Sequence, residues 1–475
     1  MSIFNPEQWA KDHFQHANLG DSRRTARLID ISGDMASNSS KSMAFSCNGD
    51  DAALEGAYRF IRNDNVSADA MRAAGFAHTA VLATESAEIL ALEDTTSLSY
   101  KHQVAKNLGK LGKKTDKSRG WWVHSTLLLD SKTTRTLGLI HQDWWCRPDD
   151  IRDADEKESG KWPDASYFCR QRLGHTMDRV ISVCDREADI LSYIQDKQSH
   201  KERFVVRAKH PRKIEESELT LFEYLNTQPI IGSYSLNIPQ KGLKKSNGQR
   251  VNRPSRQAQL SVKVASITPK SQSNTETINV VLAEETNTTE GNEILRWVLL
   301  TTEPVDTLIQ SLKVINIYAA RWRVEDFHKA WKTGAGAERQ RMTERDNLER
   351  AVSILAFIGV RLLQLREALT LPFYLRKQGL LKEADAVESE SCGGVLVDDE
   401  WKILLQMSPL KGHDTDIAPP LKWAYQAIAK LGGFNDTKRT GIASWSTIWE
   451  GWDKLQERVA GYRIAKEMLE SGQSL

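Results

Sequence analysis

The sequence predicts an α/β protein with a mixed central sheet, an inserted run of β-strands, and helical segments at both ends. Three observations carry this. Residues 1 to about 65 show helical periods and few strand signals. From about residue 87, short apolar and period-2 runs alternate with helical ones, and from about 370 the pattern is helical again.

Bulk properties set bounds. A chain of 475 residues holds roughly two to four domains. Hydrophobic content of 40% supports packed cores and excludes a disordered chain. Net charge is only +2, so any nucleic-acid binding must rely on localised positive charge. The 5 cysteines are odd in number, scattered and never spaced CxxC. That argues against a zinc or disulfide framework and for a reducing compartment. The opening MSIFNPEQWAKDHF lacks the apolar core of a signal peptide. The run AVSILAFIGVRLLQL, interrupted by Arg361, reads as a buried helix rather than a membrane span. The expectation is a soluble, cytoplasmic protein.

In ANLGDSRRTARLIDISGDMA, near the start of the chain, Asp21 is a candidate N-cap, followed by Arg23, Arg24 and Arg27. Cations there oppose the helix dipole, so they form either a solvated face or a grip for phosphate. EILALEDTTSLSY reads as a buried strand ending at Asp94. WWVHSTLLLD and TRTLGLIHQDWW, separated by SKTT, read as a hairpin. Residues 154–162 form a polar loop leading into a helical region. In RVISVCDREADILSYIQD a strand, Val180–Cys184, gives way to a helix near Glu187, and RFVVRAKH is a further strand. The implied sheet has its first three strands antiparallel and later ones joined by crossovers. SYSLNI, QLSVKVASI, INVVLAE and RWVLLTTE make the β insertion, and Lys241 to Arg256 carries six cations without an acid, as a basic hairpin tip or loop.

The stretch YAARWRVEDFHKAWK, residues 318–332, reads as one helix. At about 100° per residue, Tyr318, Arg321, Glu325 and Lys332 share one face. Ile317, Ala320, Val324, Phe327 and Trp331 form an adjoining apolar stripe. A solvated salt-bridge ladder is the competing reading. Asp94 and Asp185 stand where strands end, a position that strand propensity disfavours for aspartate, although Asp185 also suits a helix cap. If the helix crosses those strands, Asp94, Asp185 and Glu325 converge. Three close carboxylates need a cation, and hard oxygen donors without a cysteine or histidine cluster point to Mg2+ or Mn2+. Ions so held suit phosphodiester chemistry, with Tyr318, Arg321 and Lys332 holding phosphates.

The chain resembles the DDE transposases of bacterial insertion sequences, in particular the insertion-sequence-four family. Tyr318, Arg321, Glu325 and Lys332 match its Tyr-Arg-Glu-Lys signature without departure in spacing. LGDSRRTARL, EDTTSLSY, DKSRGWWVHS, VCDREADI, RFVVRAKHPRK, FHKAWKTGAGAERQR and GGFNDTKRTGIASW carry the likeness over most of the chain. The resemblance implies a helical DNA-binding domain over residues 1–66 and a ribonuclease H-like catalytic domain over 67–368. It implies a β insertion at about 212–305 and a helical dimerisation domain over 369–475. It implies catalytic, metal-binding Asp94, Asp185 and Glu325, with Mg2+ as cofactor and Mn2+ also effective. The partners it implies are double-stranded DNA, both transposon ends and target, and a second copy of the chain. The chemistry implied is cut-and-paste through hairpin ends, with a flipped base stacked on Trp297 and Trp322 beside the signature helix. Without the resemblance, Trp297 reads as a strand residue facing the core. Arg207 and Lys209 match phosphate contacts of the family, and Arg27, Lys41 and Arg59 match end-binding positions. Departures in residues 1–20, 215–290 and 370–420 bear on which DNA end is recognised.

Two rival readings are a structure-specific nuclease on the same fold and a non-catalytic regulator that dimerises with an active form. In WSTIWEGWDKLQERVAGY, the residues Trp445, Ile448, Trp452, Leu455, Val459 and Tyr462 recur at alternating steps of 3 and 4. That seam is read as a dimer interface, against packing on the chain's own helices.

Overall fold

A long central sheet organises the chain. The computed structural model describes residues 5–38, 42–47, 49–112, 118–147, 158–238, 241–244, 250–253, 256–270, 276–287, 294–377, 379–436 and 442–471. The strands are β1 (Ile89–Tyr100), β2 (Gly109–Lys110), β3 (Arg119–Asp130), β4 (Thr136–Trp145), β5 (Val180–Cys184) and β6 (Arg203–Arg207), followed by β7 (Ile230–Ile238), β8 (Lys241–Lys244), β9 (Arg250–Arg253), β10 (Arg256–Ile267), β11 (Ile278–Glu285) and β12 (Arg296–Thr301). Sheet order is β2-β3-β1-β5-β6-β12-β11-β10-β7, with β4 also paired to β3. β1, β3 and β4 are antiparallel, whereas β5 and β6 run parallel to β1 through helical crossovers, as expected. Every residue of β5 is buried, the pattern of a parallel strand covered on both faces.

The β insertion extends this same sheet, because β12 pairs antiparallel with β6. β7, its edge strand, alternates between exposed and half-buried positions. The basic segment folds in part as β8 pairing β9 in a small separate ladder. Arg256 belongs instead to the start of β10, where it is ion-paired with buried Glu285.

Two strand-end expectations need correction. β1 does not end at Asp94 but runs on to Tyr100, because β3 pairs it throughout, as far as Tyr100 with Arg119. After β5 the chain makes a short 3-10 turn, Arg186–Ala188, and the next helix starts only at Leu191. Asp185 caps that turn, accepting from the Glu187 backbone N–H at 2.8 Å.

Four helices, Pro6–Phe14, Ser22–Ser37, Met43–Ser46 and Asp51–Ile61, form the N-terminal part. Asp21 does cap the second, accepting from Arg23 N at 2.9 Å. These helices dock on the helix Arg345–Lys377, which contains the apolar run and buries nearly all of it. The docking relies on arginines of the long helix. Arg350 donates to the carbonyls of Ile61 and Val66 at 2.8 and 2.7 Å, and Arg361 donates to that of Ala36 at 2.9 Å. All are buried, so carbonyls near helix ends find partners without water. The helix Ala68–Ala83 packs there too, so closely that a Cβ on Gly75 would fall 2.3 Å from the Phe357 ring.

The regular elements among the described residues from 379 onward are helices, the last being Trp445–Glu470. Here the seam expectation fails. Ile448, Trp452, Leu455 and Val459 are buried against the chain's own helices, with Leu455 and Val459 at 0% and 1% exposure. A heptad pattern records that a face is covered, not which chain covers it. No helix of the described residues is long and apolar enough to cross a membrane, and the cysteines among them are all free.

Candidate active site

The signature stretch is not one helix. Leu308–Ala320 ends at Arg321, a second segment spans Trp322–Lys329, and Ala330–Gly334 forms a π turn. Such turns rotate the residues beyond them out of even helical phase, and they recur at functional sites. The column expected from even helical spacing is therefore re-cut into three pieces, with Lys332 on the π turn. The apolar stripe is nonetheless buried at Ile317, Val324, Phe327 and Trp331, and half-buried at Ala320.

β1 and β5 align two of the candidate acids. Leu92 pairs with Val183 in the parallel register, so two residues later come Asp94, within β1, and Asp185, the first residue past β5. The third arrives on the Trp322–Lys329 segment. Arg321 links the set: its Nη2 donates to Glu325 Oε1 at 2.6 Å, and its Nη1 stands 3.8 Å from Asp94 Oδ1. Arg321 Nε and Nη1 are buried without a hydrogen-bond acceptor. Such donors are costly to leave unmet and suit an incoming oxyanion.

Burial drives the Asp94 carboxyl up; Arg321 pulls it back, Asp185 and Glu325 push it further, and it settles at about 7. Burial is thus the chief cause of the rise, and Arg321 exerts the largest single charge effect on Asp94. Among the described residues, no three His, Cys, Asp or Glu side chains form a group able to hold a metal ion. Arg321 stands between two of the acids, Asp94 and Glu325. The donor set, three carboxylates with excess negative charge, fits a hard divalent cation such as Mg2+ or Mn2+.

Around this centre, Tyr318 is buried and meets half-buried Trp297 edge to face, 5.2 Å between centroids. Trp322 is 53% exposed, with the Arg321 guanidinium 5.9 Å from its ring. Burial lowers the Lys332 ammonium, while Glu338 and Asp94 act in the opposite direction. Arg207 and Lys209 lie farther along, lining a pocket of about 270 Å3 with Arg186, Phe222 and Arg296. Arg207 Nη2 donates to the Arg296 carbonyl at 3.1 Å, and the Lys209 side chain is exposed. In the N-terminal part Arg59 is paired with Glu55 at 2.8 Å and Arg27 is half-buried on its helix. Lys41 lies outside the described residues.

Sequence reasoning missed His328. Its Nδ1 stands 3.7 Å from Asp94 Oδ2, its Nε2 is buried without a partner, and burial holds it well below the usual imidazole range. Its place three residues after Glu325, on the same side of the helix, was the available signal. The pair Glu93 and His124, 3.5 Å apart and fully buried behind Asp94, was missed as well.

Residues 6–66 match the family model described as Transposase DNA-binding, and residues 164–359 match that described as Transposase DDE domain. The two matches support a DDE-type DNA transposase. The mixed sheet with helical regions at both ends is consistent with a ribonuclease H-like DDE domain. Transposases of this type use divalent metals in general. The DDE match includes Asp185 and Glu325 and begins after Asp94, while the DNA-binding match includes Arg27, Lys41 and Arg59.

Proposed function

We propose that this transposase works by cut-and-paste. It binds the two ends of an element as a dimer, cleaves them by metal-dependent hydrolysis through a hairpin intermediate, and joins the 3′-OH ends to target DNA. One observation carries the reading: the Arg321 guanidinium, with unmet buried donors, contacts Glu325 and Asp94, and Asp185 stands level with Asp94. An unsatisfied cationic fork beside three carboxylates suits a phosphodiester held against metal-binding groups.

In this mechanism Asp94, Asp185 and Glu325 would hold Mg2+ or Mn2+, which would supply Lewis-acid stabilisation for phosphodiester cleavage. Arg321 turns its free donors to the scissile phosphate, and Lys332 adds a second positive charge beside it. Tyr318 backs Trp297, whose ring holds a base taken out of the stack. Trp322 offers a second exposed ring. Arg207 and Lys209 contact backbone phosphates, and the Arg27, Lys41 and Arg59 region grips the element end. The division into residues 1–66, 67–368 and 369–475 reflects these roles.

The test is cleavage of a linear duplex bearing the element end, with Mg2+ or Mn2+. Hairpin product followed by strand transfer supports the reading. Cleavage without joining would indicate a structure-specific nuclease, and end binding without cleavage a regulator.

A further inference from the structure

The segment that carries Glu325 is short. It spans eight residues, Trp322–Lys329, has no side-chain cap at its start, and runs into the π turn at its end. Its flanks, Arg321 and Ala330, keep right-handed helical dihedrals, but the hydrogen-bond register changes at each. Val324 and Phe327 bury it, but apolar contact is not directional. What sets its orientation lies behind it.

Arg323 is two residues from Glu325, so at about 100° per residue it points to nearly the opposite side. There it pairs with Glu367 of the long helix, side chains 9% and 8% exposed. The Glu367 carboxylate also accepts from Thr136 N at 2.8 Å and from Thr136 Oγ1 at 2.6 Å. The Arg323 guanidinium lies 5.4 Å from the Tyr374 ring. A second pair, Asp326 with Arg366 at 3.4 Å, ties the same segment to the same helix. Two directional contacts thus fix rotation and height, and one of them is locked to the start of β4.

We propose that Glu367 is a positioning residue for Glu325: by clamping Arg323 from behind, it holds the carboxylate at the front in reach of Asp94 and Asp185. The proposal rests on the reading of Glu325 as a metal-holding carboxylate. Glu367 touches no reacting atom. It acts on the ligand only through Arg323 and the backbone between them, so the expected loss lies at the low end of the roughly 10–100-fold found when a direct partner of a metal ligand is removed. A cavity of about 560 Å3, lined by Thr136, Gln364, Glu367 and Tyr374 among others, adjoins the clamp. A glutamine at 367 therefore fits without a clash while removing the charge that Arg323 needs.

Mn2+ titration of the full chain, followed by electron paramagnetic resonance, tests this on the wild type, Glu325→Gln and Glu367→Gln. Expected is loss of a high-affinity site in Glu325→Gln and a roughly 10-fold weakening in Glu367→Gln, with end binding by gel shift unchanged. A folded Glu367→Gln that titrates Mn2+ like the wild type, beside a Glu325→Gln that does not, overturns the proposal alone. No Glu325-dependent site in the wild type overturns both this proposal and the reading beneath it. Mn2+ weakening in Glu367→Gln, with a wild type that never cleaves, supports the clamp and sinks the cleavage reading. Should Glu367→Gln fail to fold, Arg323→Gln, which removes the other half of the same pair, replaces it: weaker Mn2+ binding supports the clamp, unchanged binding overturns it.

Discussion

Trp297 and Tyr318 meet edge to face, with the tryptophan half-buried on β12 and the tyrosine buried beneath it on the signature helix. This contact joins the β insertion to the residue that opens the Tyr-Arg-Glu-Lys pattern. A ring so backed loses little freedom when a base stacks on it.

Trp297→Ala is expected to slow hairpin formation much more than the first nick, since only the hairpin needs a base held out of the stack. Stacking of this kind contributes about 1–3 kcal/mol per base, so a slowing of roughly 5- to 150-fold is expected. A single-turnover time course resolves both steps. Equal slowing of the two would remove Trp297 from this role.

Asp94→Asn, Asp185→Asn and Glu325→Gln are each expected to abolish nicking in Mg2+ while end binding stays near wild type. The lost groups are the three candidate acids, and DNA affinity is expected to come from cations elsewhere. Paired cleavage and gel-shift measurements check this. Substantial cleavage by any one of them would strike that residue from the set.

Acid should loosen the N-terminal helices. Burial, reinforced by neighbouring His78, lowers His13 to about 3, and its ring lies 4.3 Å from that of His78. The folded chain therefore resists a proton that the unfolded chain accepts near 6.5. Stability contributed by neutral His13 is present above 6.5 and falls as pH drops toward 3, by about 1.4 kcal/mol per unit once below 6.5. Asp94, raised to about 7, works in the opposite sense over part of this range, so the comparison must be with a variant. Between pH 7.5 and 5.5 the wild type is expected to lose about 1 kcal/mol more than His13→Gln in denaturant unfolding. Parallel losses in the two proteins would refute it.

Leu455→Ala is expected to destabilise the isolated chain by about 2–5 kcal/mol, the usual cost of emptying a core leucine site. Because Leu455 is fully buried within its own chain, the loss should not depend on protein concentration. Thermal unfolding at two concentrations a hundredfold apart decides it. A concentration-dependent effect would return the seam to the dimer interface.

Much of the fold was legible in the sequence. β5, the hairpin around residues 131–134, the Asp21 cap and the buried run in the long helix all rest on local patterns of polarity and capping. The end of β1 was not legible, since its continuation to Tyr100 depends on a partner strand distant in sequence. Nor was the break at Arg321, where neither proline nor glycine marks the change. The candidate acids stood out because aspartates inside an apolar strand context are rare. His328 did not, since its meaning comes only from the approach of β1.

Arg350 and Arg361 hold the N-terminal helices by main-chain oxygens, at Ile61, Val66 and Ala36. A carbonyl is supplied by any residue type. The joint therefore places almost no demand on which side chains those helices display outward. The outward face of these helices can change, residue by residue, while the helices stay mounted on the long helix. Change on that face and constancy of the frame beneath it become separable, with the boundary drawn at the peptide backbone.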